Sequence, residues 1–170
     1  MALQPGDIEK SLNNYRTTRQ FMSPLIDFVV GKMLNDIDFN TSSVFEDDEA
    51  IAIQLQSASR DLIPVLFLFW LENNRFSLFV EDKEVVDEFI ADEAGLQRTL
   101  LSIETMLSRE IHRVRFMRGG KVRKVIYTYS AIMENGAIEK YEDQRVLGIS
   151  MPWSKNERVE HLFEAWIVKR

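Results

Sequence analysis

The chain reads as an α+β protein, a largely antiparallel sheet of five to six strands with helices on one face. Three observations predict this. Apolar residues switch along the chain between helical spacing and strict alternation. The strand-like segments follow one another through short turns, such as Asn73–Asn74, Gly119–Gly120 and Asn135–Gly136, which makes sequence neighbours antiparallel. No strand-like segment leads through a Gly-rich turn into a helix in the manner of βαβ units. The expected order is α-β-β-β-α-(β)-β-β-α over a single globular domain, 1–170.

The first helical region is expected over 7–35, in two segments or with a kink. Asp7 is a candidate cap, with Ile8, Leu12 and Tyr15 near helical spacing. Ser23–Pro24 then offers a capping hydroxyl followed by a proline at the first helical position. Leu25, Ile26, Phe28, Val29, Met33 and Leu34 widen the apolar face of that second segment. Residues 36–49 form a polar connection. "AIAIQLQ" alternates, so Ile51, Ile53 and Leu55 share one face of a half-buried strand. "LIPVLFLFWLE" is apolar on both faces, as a central strand is, and Pro64 lies near its beginning. After Asn73–Asn74, "RFSLFVE" returns as a third strand.

Residues 82–110 are expected to be helical. Val85, Val86, Phe89 and Ile90 make one face, and Leu96, Leu100, Ile103 and Leu107 continue it past an interruption at Gly95. Glu81, Asp82, Glu84, Asp87 and Glu88 crowd its first turns, where the helix dipole favours acids. "KVIYTYSAIMENGAIEKYEDQRVLGIS" reads as a hairpin about Asn135–Gly136, a pair suited to a type I′ turn. Ser154 and Glu157 form a capping-box pattern that opens a closing helix. Val159, Leu162, Phe163, Trp166 and Ile167 would be its apolar face.

Composition narrows the class. Hydrophobic residues make up 45% of the chain, enough for a real core. There is no cysteine, which excludes a disulfide framework, a thiolate zinc site and a cysteine nucleophile. The N-terminal residues turn polar at once, without the apolar stretch of a signal peptide. The longest apolar run, 62–71, is too short to span a bilayer. A cytoplasmic protein with no membrane contact is the expectation.

Charge supplies the candidate site. The chain has 21 Lys and Arg against 27 Asp and Glu, a net charge of −6. Seven of those basic residues lie in Arg109–Lys124 beside one acid, Glu110, so this window carries +6 and the remainder −12. Two structures compete for it. In one, the preceding helix runs to Met117 and stops at Gly119–Gly120, with its cations on the solvated last turns. In the other, "RVRFMR" and "KVRKVI" pair as a hairpin around the two glycines, and period-2 alternation favours this form. A two-residue loop then sets Arg118 opposite Lys121 and Arg115 opposite Lys124. Such like-charge pairs are unfavourable and would be relieved by an anionic partner. Arg113, Arg115, Phe116, Arg118, Lys121, Arg123 and Lys124 are the candidate partner-binding residues.

Other chemistry finds little footing. Asp36, Asp38, Asn40 and Asp47 fall on positions of a calcium loop, but Thr41 and Ser43 break the pattern, and no metal is expected. His112 lies among cations and His161 on the closing helix. No nucleophile motif occurs. "EDDE" at 46–49 reads as a solvated edge. No catalytic residue and no cofactor is expected. "FLFW" (67–70) and "YTY" (127–129) read as core, with an aromatic-lined ligand pocket as the lesser reading.

The element order α-β-β-β-α-β-β-α, together with the acidity, is similar to small acidic secretion-chaperone domains. That resemblance implies a dimeric binder of other proteins. The expected function is therefore a non-enzymatic interaction, adaptor or chaperone-like module. It would use the basic surface 109–124 for an acidic protein partner. It could also self-associate by pairing that surface with the acidic segment 81–93. The alternatives are nucleic-acid binding through the same hairpin, with Phe116 as a stacking residue, and a small-ligand sensor.

Overall fold

The computed structural model describes residues 10, 13–14, 23–33, 37–38, 41–59, 61–148 and 156–167. It is α+β, with two antiparallel sheets where one was expected. The chain divides into two compact units, Met1–Glu104 and Thr105–Arg170.

The first unit holds helix α1 (Ser23–Met33), which starts at the predicted Ser-Pro signal and buries Leu25 and Ile26. The segment expected before it, from Asp7, lies outside the described residues apart from Lys10, Asn13 and Asn14, which are helical. A five-stranded sheet follows in simple meander order. Its strands are β1 (Ser43–Glu46), β2 (Ala50–Leu55), β3 (Val65–Trp70), β4 (Arg75–Val80) and β5 (Lys83–Phe89). Alternation sets Ile51, Ile53, Leu55, Val65, Phe67, Phe69, Phe76, Leu78 and Val80 on one face, all fully buried. Phe76 packs against Phe69 and Phe67, with ring centroids 5.2 and 6.1 Å away. Burial of each such ring contributes roughly 1.5–3 kcal/mol.

Two expectations for this unit are corrected. The connection 36–49 contains strand β1, whose Val44 and Phe45 pair with Ile53 and Ala52. The helix expected from residue 82 begins at Glu93 instead, and 83–89 is strand β5. The turn at Glu81–Asp82 folds this segment back onto β4, where six of its residues find ladder partners. A register shift leaves Val85 as an extra residue between the partners of Leu78 and Phe79. That bulge breaks strict alternation and makes Val85, Val86 and Phe89 resemble a helical stripe. The helix start is marked by Asp92, whose Oδ1 accepts the Gly95 N–H at 2.7 Å. Gly95 therefore sits in the first turn of helix α2 (Glu93–Leu107) and does not interrupt it.

The second unit is a four-stranded sheet in the order β8-β7-β6-β9. The strands are β6 (Ile111–Arg118), β7 (Lys121–Ile132), β8 (Ile138–Val146) and β9 (Glu157–Phe163). Ile111, Val125, Tyr127, Tyr129 and Phe163 are buried on one face, and Trp166 and Ile167, just past β9, are also buried. Ile167 donates its N–H to the Leu107 carbonyl at 3.0 Å.

The closing helix is the third correction. Residues 157–163 pair with the free edge of β6 over seven positions. Val159, His161 and Phe163 alternate toward one face, while Leu162, counted above as helical core, is 55% exposed. Seven ladder positions outweigh a helical pattern of modest propensity. Ser154, the expected cap, lies outside the described residues. The β7–β8 turn is also changed in type. Met133 accepts the Gly136 N–H at 2.8 Å, and Gly136 alone takes a positive φ, 79°. Residues 134–136 thus form a three-residue loop rather than a type I′ pair. With β5 and β9 as strands, the helical order behind the secretion-chaperone resemblance is not present.

Candidate functional site

Residues 111–118 are a strand, and the basic stretch is the β6–β7 hairpin. Gly119 and Gly120 turn the chain with φ of 56° and 72°, values that any residue bearing a Cβ disfavours. Arg118 and Lys121 are direct partners across the turn, as expected. The second expected pair does not form. Phe116 pairs with Lys124 and Met117 with Val122, so Arg123 is an extra, bulged residue and Arg115 faces Val125. The bulge separates two like charges that an unbroken ladder would have opposed.

Alternation then sorts the candidate residues by face. Arg113 and Arg115 share the face of their partners Tyr127 and Val125, the buried side of the sheet. Both are half-buried, and the Arg113 guanidinium lies 4.7 Å from the centroid of the Phe163 ring. Phe116, Arg118, Lys121 and Lys124 occupy the opposite face, which is exposed at Arg118 and Lys121, half-buried at Phe116 and Lys124, and buried further along at Val114. Lys124 Nζ lies 5.9 Å from the Phe116 centroid. Arg123 stands apart. Its carbonyl accepts the Leu147 N–H at 2.7 Å, and its guanidinium lies over Gly148. Its Nε is buried without a hydrogen-bond partner among the described residues.

Strand β9 adds a cation that the helical reading of 154–167 concealed. Arg158 is the partner of Phe116 on the side away from Lys124. Lys124, Phe116 and Arg158 therefore form one row across three strands, with Arg118 and Lys121 at the tip beside it. Arg158 donates to Glu160 at 2.8 Å, and Glu160 also contacts His112 at 3.1 Å. Arg118, Lys121 and Lys124 make no ion pair among the described residues.

The remaining candidates are placed as follows. Asp36 and Asn40 lie outside the described residues. Asp47 uses its Oδ1 to accept the N–H groups of Glu49 and Ala50, at 2.9 and 2.8 Å, which is turn chemistry. No group of three or more metal-ligating side chains is assembled among the described residues. Phe67, Phe69, Tyr127 and Tyr129 are core, as read, while Leu68, Trp70 and Thr128 of the same runs are half-buried and not core. A shallow cavity of about 220 Å³ in the first unit is lined by Asn74, Ile90, Ala91, Asp92, Glu93 and Leu96, none aromatic. Among the described residues no helix is long and apolar enough to cross a membrane.

Fold and surface together define an α+β chain with two antiparallel sheets and a cationic hairpin face built around one aromatic ring. The chain matches no protein-family model, no curated protein and no solved structure.

Proposed function

We propose that the protein is a non-enzymatic interaction module that presents the cationic face of the β6–β7 hairpin to an acidic protein partner. The observation that carries this reading is the Arg118–Lys121 pair. Two cations stand directly opposite each other at an exposed turn, with no ion pair among the described residues to relieve them. Lys124 and Arg158 flank the same surface. An anionic partner removes the repulsion, and the net charge of −6 on the chain makes a general polyanion coat the weaker fit. A module of this kind acts as an adaptor or holding partner and needs no cofactor.

Lys121→Glu separates binding from folding. It converts the like-charged pair into an ion pair, so the thermal midpoint stays or rises. Binding of a fluorescent acidic peptide falls tenfold or more, chiefly through a slower on-rate. Equal peptide binding by wild type and Lys121→Glu would sink the proposal.

One observation favours a second reading. The Phe116 ring lies between two cations, as stacking residues do on single-strand nucleic-acid surfaces. A labelled single-stranded oligonucleotide of the same charge tests it in the same assay. Preference for the oligonucleotide, lost in Phe116→Leu and steeply salt-dependent, selects that reading over the first.

A further inference from the structure

The four-stranded sheet ends on one side at β8, and among the described residues no strand pairs with its outer edge. The β7–β8 ladder is regular over nine positions, so alternation fixes where each backbone group of β8 points. Met133 donates its N–H to the Ala137 carbonyl at 2.8 Å, and Leu147 donates its own to the Arg123 carbonyl at 2.7 Å. Both bonds lie in register with the ladder between them. The odd-numbered residues of β8 therefore bond to β7. Ile138, Lys140, Glu142, Gln144 and Val146 turn their N–H and C=O groups to the open edge.

Proteins blunt such edges with short strands, proline, bulges or charges that repel a like chain. Strand β8, "IEKYEDQRV", has nine residues and no proline, and its ladder has no register shift. The other edge strands are shorter, at four residues for β1 and seven for β5 and β9, and β5 is bulged. The charges of β8 do not repel a like chain, because their order makes the strand its own complement. Antiparallel pairing of β8 with a copy of itself about Glu142 sets Glu139 opposite Arg145 and Ile138 opposite Val146, once at each end. Lys140 meets Gln144, and Tyr141 meets Asp143. Ile138 and Val146 are 48% and 65% exposed in one chain, and this pairing covers both. The backbone agrees with the side chains. The outward groups fall opposite one another as hydrogen-bonded pairs, giving on the order of ten bonds. Glu139 and Arg145 fall in the alternate pairs, where side chains lie closer. Glu142 facing itself is the one unfavourable pair, with Lys140 of the second copy on its diagonal. The same operation on β9 about Glu160 sets Glu157 against Phe163 and Arg158 against Leu162, with no complementary charge.

We propose that the β8 edge is the interface with a second copy of the chain. A two-fold axis perpendicular to the sheet at Glu142 joins two four-stranded sheets into one. The contact uses none of the cationic hairpin residues, so it stands or falls apart from the proposed function.

Sedimentation of the full chain and amide hydrogen exchange test it. Wild type is expected to dimerise with Kd on the order of 10–100 μM, weak because one strand edge buries less than a standard interface. The amides of Lys140, Glu142 and Gln144 gain protection as concentration rises through that range. Glu139→Arg sets like charges opposite each other and weakens the dimer about tenfold. Glu139→Arg/Arg145→Glu restores it. The two positions lie about 20 Å apart along one strand, so this rescue arises only between chains. Glu142→Gln removes the central repulsion and tightens the dimer about threefold. Gln144→Pro deletes one outward N–H, leaves the β7 ladder intact and abolishes dimerisation. A wild-type monomer at 500 μM (about five times the weakest expected Kd) overturns the proposal. So does a dimer that survives Gln144→Pro, or a folded charge swap without rescue. Should the swap unfold the chain, exposed Glu142 decides: a dimer no tighter in Glu142→Gln overturns the proposal as well.

Discussion

Arg75 and Asp87 are joined across the β4–β5 ladder by two hydrogen bonds, Nε to Oδ1 at 2.6 Å and Nη2 to Oδ2. The arginine hydrogen bonds hold the Asp87 carboxyl below its ordinary value, with burial opposing and Ser77 assisting. A carboxyl depressed in the folded state contributes stability above its unfolded pKa and loses it as pH falls through the folded value. Asp87→Asn is therefore expected to lower the melting midpoint at pH 7 by about 1–3 °C, small because both groups are well exposed to solvent. The difference shrinks below about pH 4, the ordinary aspartate range. Melting curves of both proteins at pH 7, 4 and 2.5 check this.

Burial raises the Tyr129 phenol above the ordinary tyrosine value, and the neighbouring Asp143 and Tyr141 add to the shift. The contribution of the protonated phenol is intact below about pH 10 and is lost as pH climbs toward the raised value. Tyr129→Phe is expected to move the alkaline limb of the stability curve upward. Titration of tyrosinate absorbance is expected to show a late component that disappears in this variant.

The turns offer two substitutions of opposite sign. Gly120 has φ of 72° and open space where a Cβ would stand, so Gly120→Ala has a conformational cost of about 1 kcal/mol. Glu81 holds φ of 55°, a value costly for a side chain of its kind. Glu81→Asn is expected to stabilise by about 0.5–1 kcal/mol. Urea unfolding of the two variants gives both numbers.

Leu162 and Phe163 distinguish strand from helix at β9. In the pairing with β6, Phe163 is buried and Leu162 faces solvent. Phe163→Ala is expected to cost about 3–5 kcal/mol. Leu162→Thr is expected to stay within about 0.5 kcal/mol, as surface changes do. Comparable losses at both positions would instead match the helical stripe.

The parts legible in the sequence were those whose pattern is local. Ile51, Ile53 and Leu55 alternate and Ser23–Pro24 starts a helix, each for reasons contained within a few residues, whereas Gly119–Gly120 suits a helix stop as well as the hairpin turn it makes. The missed parts depend on neighbours distant in sequence. Val159, Leu162, Phe163 and Ile167 fit a helix equally well until the edge of β6 is supplied. The bulges at Val85 and Arg123 shift partners without altering the local apolar pattern, so Arg115–Lys124 was a reasonable but incorrect pair. Arg158 entered the cationic row only through that distant ladder.

Strand β9 joins β6 across a wide gap in sequence, with His112 and Glu160 separated by 48 positions. During translation, β6 is made well before its partner. At about 5–20 residues per second, the interval between Arg118 and Glu157 lasts on the order of 2–8 s. For that time the hydrogen-bonding edge of β6 is a vacant template, able to accept a strand from another nascent chain. Arg113, Arg115 and Arg118 along β6 are the kind of charge that discourages edge pairing between like chains, a use for positive charge that ends when synthesis does.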